Sequence, residues 1–237
     1  MTPPARSDRQ RLFALLGGAA LLAAIVVVVL IVVSQGGDDG DPDAGPAAEL
    51  ADVSERGITL GDPDAPVTLV EFADPQCPFC AEYTTAVQPD LVEKYVRAGE
   101  VKMELRLLTF IGPDSARLAN AAYAASEQDG LWAFTDLAYA RQGTENSGYA
   151  DDGFIESAAA DAGLDPEPIV AAAEDPTQAV EDLVLEAKDA AASAGVASTP
   201  SFLIGPSDGE LEPLDVSSLE TSEFEAAIDE AVAAAQG

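Results

Sequence analysis

Hydrophobic and polar positions divide the chain into an apolar N-terminal run, a polar segment and a long region of strand-like and helix-like patterns. Val67–Phe72 is a β-branched, largely apolar run, which is typical of a buried strand. Helical spacing follows as far as Gly99, with a kink expected at Pro89, and Val101–Phe110 then alternates as a second strand does. This strand–helix–strand order predicts a parallel pair joined by a right-handed crossover.

The second strand is followed by an alanine-rich stretch that predicts a helical block at about residues 112–194. Glycines and an Asp-Pro pair divide it into helices near 114–128, 130–142, 151–162, 166–174 and 177–194. A short apolar strand at Pro200–Gly205, a turn, a weak strand near 211–214 and an amphipathic helix at Glu223–Gln236 close the chain. The order is βαβ, helical block, then ββα, which predicts an α/β fold with a helical insertion.

The N-terminal run at residues 12–33 has 22 positions without a charge. A helix of that length spans about 33 Å, enough to cross a hydrocarbon core of about 30 Å. Arginines precede the run and acidic residues follow it, which predicts a transmembrane anchor with residues 1–11 in the cytoplasm and the rest outside the cell membrane. The alternative is a long cleaved signal peptide, although Val32–Gln35 make a poor cleavage site.

The polar segment at residues 34–57 is rich in Gly, Asp, Pro and Ala, and it predicts a flexible acidic linker. The folded domain is therefore expected at residues 58–237. Alanine supplies much of its apolar content, which favours a helix-rich core.

Composition removes several classes of function. The chain has 43 acidic and 11 basic residues and a net charge of −32, which argues against nucleic-acid binding. It has no histidine, so a histidine general base or a Ser-His-Asp triad is excluded. Two cysteines are too few for an all-cysteine zinc site, so no metal or other cofactor is expected.

Both cysteines lie in one motif, Cys77-Pro78-Phe79-Cys80, where the first strand meets the following helix. Pro78 suits the first helical position, and free N–H groups at a helix start stabilise a thiolate on Cys77. Cys80 lies one turn further along the same face, within reach for a disulfide. A four-residue ring constrains little chain, so redox exchange is favoured over a structural bridge, with Cys77 attacking and Cys80 resolving. Pro78 and Phe79 are expected to contact substrate.

The string VEFADPQCPFC resembles the DsbA-like branch of the thioredoxin superfamily, and TPSFLIG resembles that superfamily's cis-proline loop. The helical insertion also fits DsbA better than thioredoxin. The resemblance covers residues 58–237 and implies a thioredoxin-like fold with an inserted helical subdomain, preceded here by one transmembrane helix.

The resemblance also implies roles for three further residues. Pro200 corresponds to the cis-proline that faces the disulfide, and Thr199 to the residue whose backbone receives a substrate strand; the alternative is an ordinary trans peptide at the start of a strand. Glu71 corresponds to a buried acid that moves protons to and from the second cysteine; the alternative is a glutamate that reaches solvent. Phe79 stands where DsbA has histidine, so a less depressed pKa at Cys77 and a milder potential are expected.

The leading hypothesis is an extracytoplasmic oxidoreductase that forms disulfides in exported, cysteine-containing proteins. A membrane partner of the DsbB or VKOR type would reoxidise it, by analogy with the family. The alternatives are a disulfide reductase or isomerase, and a non-catalytic thioredoxin-fold binding module at the membrane. Trp132 is assigned to the core, with a place in a substrate groove as its alternative.

Overall fold

The computed structural model describes residues 50 and 52–235. The predicted cytoplasmic segment 1–11, the anchor 12–33 and most of the linker 34–57 lie outside the described residues. Within the described part of the chain, no helix is both long and apolar enough to cross a membrane.

One sheet organises this part of the molecule. Its strands are β1 (Glu55–Arg56), β2 (Thr59–Leu60), β3 (Val67–Ala73), β4 (Val101–Leu107), β5 (Ser201–Pro206) and β6 (Glu212–Leu214). The order across the sheet is β1-β2-β4-β3-β5-β6, and β3 runs parallel to β4 while the other neighbouring pairs are antiparallel. All seven residues of β3 are buried, as expected of a central strand covered on both faces.

The helices are α1 (Pro78–Ala86), α2 (Gln88–Leu91), α3 (Pro113–Ala125), α4 (Leu131–Ala140), α5 (Asp152–Asp161), α6 (Pro166–Glu174), α7 (Gln178–Ala194) and α8 (Thr221–Ala235). A π-helical turn at Val92–Val96 continues α2, and a 3₁₀ turn at Ser126–Gln128 follows α3. Helices α3 to α7 lie between β4 and β5 in the sequence, so the predicted fold with a helical insertion is confirmed. The helix starting at Thr221 buries Phe224, Ile228 and Val232, the face that sequence periodicity predicts.

Two predicted details differ from the structure. The sequence predicts a linker that extends to residue 57, but Glu55–Arg56 pair with Thr59–Leu60 as the β1–β2 hairpin. Glu55 also accepts a hydrogen bond from the Trp132 backbone N–H, 2.9 Å away, which fixes this hairpin to the start of α4. The helix after Cys77 was expected to kink at Pro89, whereas α1 ends at Ala86 and α2 begins at Gln88.

Trp132 belongs to the core, as assigned from the sequence. Its side chain is fully buried, and its indole N–H donates to the Ile58 carbonyl at 3.1 Å. This contact joins the helical insertion to the strand region, so the single tryptophan stabilises the connection between the two.

Candidate active site

The strand β3 delivers the chain to the two cysteines at the start of α1. Cys77 is the N-cap residue of α1 and Pro78 is its first helical residue. No acidic side chain lies in the first turn of α1, so that turn itself adds no negative charge to oppose a thiolate on Cys77. Both cysteines are free thiols, with Cys77 5% and Cys80 0% exposed. The predicted order, with Cys77 the more accessible sulfur, agrees with this geometry.

The pKa values of the two thiols are shifted in opposite directions. A hydrogen bond from the Cys80 thiol is the main cause that lowers the pKa of Cys77 from 9.0 to about 6, against the opposing effect of burial. The Thr199 side chain and the backbone N–H groups of Cys80 and Phe79 lower it further. Burial raises the pKa of Cys80 far above its ordinary value, and its hydrogen bond to Cys77 adds to that effect. This arrangement favours Cys77 as the nucleophile and keeps Cys80 protonated.

The loop before β5 meets the cysteines. The Thr199-Pro200 peptide bond is cis, so the alternative of an ordinary trans bond at this position is wrong. The Cys77 thiol donates a hydrogen bond to the Thr199 carbonyl at 3.4 Å. Residues 122 positions apart in the sequence are thereby brought together, as the resemblance implied.

A groove of about 350 Å³ opens beside this loop. Phe79, which is 60% exposed, forms part of its wall together with Pro200. The remaining lining residues are Glu82, Phe202, Val216, Ser217, Ser218 and Leu219. The groove therefore joins residues from both sequence motifs to the segment before α8, which sequence reasoning did not connect with the site.

Glu71 lies in the middle of β3 and is 1% exposed, so the alternative of a glutamate reaching solvent is wrong. Burial, the charge of Asp136 and the charge of Cys77, in that order, raise its pKa well above the usual range. Its Oε1 atom has no hydrogen-bond partner among the described residues. Glu71 in turn raises the pKa of Cys80, so the two groups interact electrostatically. Glu71 is therefore a buried acid that interacts electrostatically with Cys80, and its role in proton movement stays a prediction.

A buried polar network holds the chain just before Cys77, and sequence reasoning missed it. Asp74 accepts hydrogen bonds from the Gln76 N–H at 2.9 Å and from the Ser115 hydroxyl at 2.5 Å. The Gln142 side chain donates to the Pro75 carbonyl at 3.1 Å and to the Cys77 carbonyl at 3.3 Å. Such bonds fix the backbone from which the nucleophile projects. Asp74 and Gln76 are polar residues close to the cysteine motif in the sequence, which is a weak indication that they support the site. Gln142 is distant in the sequence and has no such indication.

Asp136 on α4 was also missed, although a signal exists for it. It is the one charged residue in Leu131–Ala140, a helix that is otherwise almost wholly apolar. A helix that is apolar all round is buried, so a carboxylate within it must be buried too. Asp136 is 5% exposed, and both of its carboxylate oxygens accept a hydrogen bond from the Gln88 side-chain amide at 3.1 Å.

Comparison with known proteins places this geometry in a family. The family model described as Thioredoxin matches residues 53–230. The chain belongs to the thioredoxin family. Among curated proteins, a probable disulfide bond formation protein D from Bacillus anthracis is 40% identical over 86 residues, which cover 35% of this chain and 40% of the relative. The match thus spans well under two thirds of that relative's length.

Solved structures of the thioredoxin family add the fold of the whole domain. Oxidised BdbD from Bacillus subtilis has a TM-score of 0.65 at 20% identity, over 77% of this chain and 99% of that protein. Alpha-DsbA1 from Wolbachia pipientis also has a TM-score of 0.65, at 21% identity, over 76% and 92%. The domain therefore has the DsbA-like form of the thioredoxin fold, as the sequence resemblance implied.

Proposed function

We propose that this chain is a protein thiol-disulfide oxidoreductase that forms disulfide bonds in other proteins through the Cys77–Cys80 pair. The observation that carries the proposal is the asymmetric dithiol. Cys77 at the start of α1 has a pKa lowered to about 6 and lies 3.4 Å from the Thr199 carbonyl, while the buried Cys80 stays protonated. Similarity to a disulfide bond formation protein supports the same activity.

The reaction begins with a disulfide between Cys77 and Cys80. A substrate thiolate attacks Cys77 Sγ, a mixed disulfide forms, and Cys80 leaves as a thiolate that must gain a proton. A second substrate thiolate then attacks the substrate sulfur and releases Cys77. The two electrons pass from the substrate thiols to the enzyme disulfide, and the low pKa of Cys77 makes it a good leaving group.

Substrate would bind across the groove beside the cis-proline loop. The exposed Phe79 ring supplies an apolar contact, Pro200 lines the same groove, and Pro78 precedes Phe79 at the start of α1. The backbone of Thr199 is available to an extended segment of an unfolded chain. Such binding is independent of substrate sequence, which suits an enzyme acting on many exported proteins. No metal or prosthetic group enters these steps, since the cysteine pair itself carries the electrons.

The location and the partner form part of the same proposal. We infer that residues 12–33 anchor the chain in the cell membrane, with the catalytic domain on the extracytoplasmic side. The uncharged run and its flanking arginines support this. A membrane protein of the DsbB or VKOR type would return the pair to its disulfide form. Fractionation that found a soluble protein with a new N-terminus near residue 35 would overturn the anchor.

The central test measures the redox potential of the Cys77–Cys80 pair, which determines the direction of electron flow between the pair and substrate thiols. The full-length protein is equilibrated in glutathione buffers, and its free thiols are trapped by alkylation. A potential near the DsbA value of about −120 mV supports a disulfide-forming oxidase, whereas one near the thioredoxin value of about −270 mV would make the protein a reductase. The pKa of Cys77 is lowered to about 6, mainly by the hydrogen bond from Cys80, and the milder potential expected from Phe79 stays a prediction that this measurement tests.

Activity is measured with a reduced two-cysteine peptide as substrate. Wild-type protein should oxidise it, and Cys77→Ser should lose this activity. Cys80→Ala should accumulate mixed disulfides with the peptide, because nothing resolves them. A Cys77→Ser protein that kept its cellular function would instead favour the non-catalytic binding module.

A further inference from the structure

Three carboxyl groups are buried in the region of the cysteines. Glu71 has an assigned role, and Asp74 fixes the loop before Cys77 through its hydrogen bonds to Gln76 and Ser115. The third is Asp136, which α4 brings in from the helical insertion. The Gln88 amide donates to both of its oxygens at 3.1 Å. Hydrogen bonds that a carboxylate accepts favour its ionised form. Asp136 is thus the member of the Glu71–Asp136 pair that the surrounding structure equips to hold negative charge.

Glu71 has the opposite environment. Its Oε1 atom accepts no hydrogen bond from any described residue, and β3 is buried along its whole length. Two interacting carboxyl groups in such a site titrate as a pair, because ionising both brings like charges together in a poorly solvated space. The single proton that the pair retains therefore belongs on Glu71.

The titratable groups around this pair come from α1 and its N-cap residue, from α4 and from the loop that follows β3. The helix α1 and its N-cap contribute the two thiols and Tyr83, whose hydroxyl has no hydrogen-bond partner within the described residues. Electrostatic coupling links Glu71, Asp136, Cys77, Cys80, Tyr83, Tyr139 and Asp74 in this region. All of these groups are neutral or negative, so each charge placed here makes a further one more costly.

We propose that Asp136 is a positioning residue that keeps Glu71 protonated, so that Glu71 can donate its proton to the Cys80 thiolate as that thiolate leaves the disulfide. The inference rests on the proposed oxidoreductase function and extends it to the helical insertion. In this step the S–S bond breaks and the Cys80 sulfur takes the electron pair. The proton moves from the Glu71 carboxyl to that sulfur, and Glu71 later regains a proton from water.

The transfer runs in the favourable direction. Burial raises the pKa of the Cys80 thiol far above that of a carboxylic acid, so its thiolate is a strong base. A Glu71 that was already ionised could not supply the proton. The charge of Asp136 acts against that ionisation, and the Gln88 amide keeps the charge on Asp136.

The proton on Glu71 can be observed directly in the full-length protein. Infrared spectroscopy detects the carbonyl stretch of a protonated carboxyl group, and subtraction of the Glu71→Gln spectrum assigns the band. We expect the band at neutral pH and its loss at higher pH. In Asp136→Asn, which retains an oxygen to accept from Gln88, the midpoint should move to lower pH by about one unit. Gln88→Met should move it in the same direction by less.

A matched control removes a charge elsewhere. Asp189→Asn makes the same chemical change at an exposed position on α7 and should leave the midpoint unchanged. A folded Asp136→Asn protein with the wild-type midpoint would overturn the proposal. So would an Asp189→Asn shift as large as that of Asp136→Asn, because a general charge effect would then explain both.

Kinetics test whether Asp136 acts through Glu71. The rate of peptide oxidation should decline at high pH, and Asp136→Asn should move that decline about one unit lower. In a Glu71→Gln background the second substitution should have no further effect on the pH profile. A further effect would mean that Asp136 acts by another route. If the infrared midpoint moves as expected but no variant oxidises the peptide, the proton pair stands and the proposed oxidase function fails.

Discussion

The thiolate of Cys77 depends mainly on one neighbouring side chain, the Cys80 thiol, which is the largest cause of its lowered pKa. Cys80→Ala removes that donor and leaves the backbone N–H groups at the start of α1. A hydrogen bond to a charged group contributes about 1.5–3 kcal/mol, and one pH unit corresponds to about 1.4 kcal/mol. The pKa of Cys77 should therefore rise from about 6 to between about 7 and 8.

The assay is the rate of alkylation by iodoacetamide as a function of pH, supported by thiolate absorbance. Cys80→Ala contains a single thiol, so the titration has one assignment. Cys80→Ser provides the matched control, because its hydroxyl can still donate to the Cys77 sulfur, and its midpoint should lie below that of Cys80→Ala. A midpoint still near 6 in Cys80→Ala would refute the reasoning and assign the stabilisation of the thiolate to the helix start and the Thr199 side chain instead.

The same pKa predicts how the stability of the dithiol form depends on pH. The folded pKa of about 6 is lower than the ordinary value of 9.0, so this contribution is complete above pH 9 and is lost as pH falls from 9 to 6. At pH 7 it amounts to about 1.4 kcal/mol. Urea unfolding of the dithiol and disulfide forms from pH 6 to 9 should show the dithiol gaining stability relative to the disulfide. A constant difference would contradict the lowered pKa.

Three further predictions concern the surrounding structure. Burial raises the pKa of Glu55 to about 7, so folding should lose up to about 3 kcal/mol as pH rises from 4.5 to 7, and urea unfolding of Glu55→Gln should lack this slope. Trp132→Phe removes the bond to the Ile58 carbonyl and should cost about 2–4 kcal/mol by circular dichroism; a loss below about 1 kcal/mol would contradict its core role. Gln142→Ala should speed hydrogen exchange around Cys77 and cost about 1 kcal/mol, whereas unchanged exchange would argue against a holding role.

Local sequence patterns predicted the elements whose identity depends on their own residues. The apolar run of β3, the alternation of β4 and the alanine-rich helices occur within a few residues of their predicted bounds. The β1–β2 hairpin had no such pattern, because its strands have two residues each. Pairing of Thr59 with Glu104 and the contact between Glu55 and α4 define these strands, and both are tertiary interactions.

In the candidate site, too, the sequence predicted the residues of local motifs and not those that tertiary packing brings together. The cysteine motif and the Thr199-Pro200 bond were accessible from the sequence because each is a short motif that resembles a family. The position of Glu71 within a buried apolar run was also visible. The proximity of Asp136 to Glu71 was not visible, because Asp136 is 65 residues further along the chain. It reaches the site only when α4 packs against α1.

Pro89 has a local effect on the helix that the sequence predicts, and this effect has a tertiary consequence that only the fold reveals. A proline lacks the N–H that would bond to the carbonyl four residues earlier, and its ring crowds that carbonyl, so regular helix fails ahead of the proline itself. The break therefore falls at Val87, and α2 begins at Gln88 with the proline in its first turn, where a missing N–H has no cost. Gln88 is buried at this new start, and its amide reaches both oxygens of Asp136. Pro89, which interrupts the helix, thus directly follows Gln88, and the Gln88 side-chain amide donates to the carboxylate of Asp136.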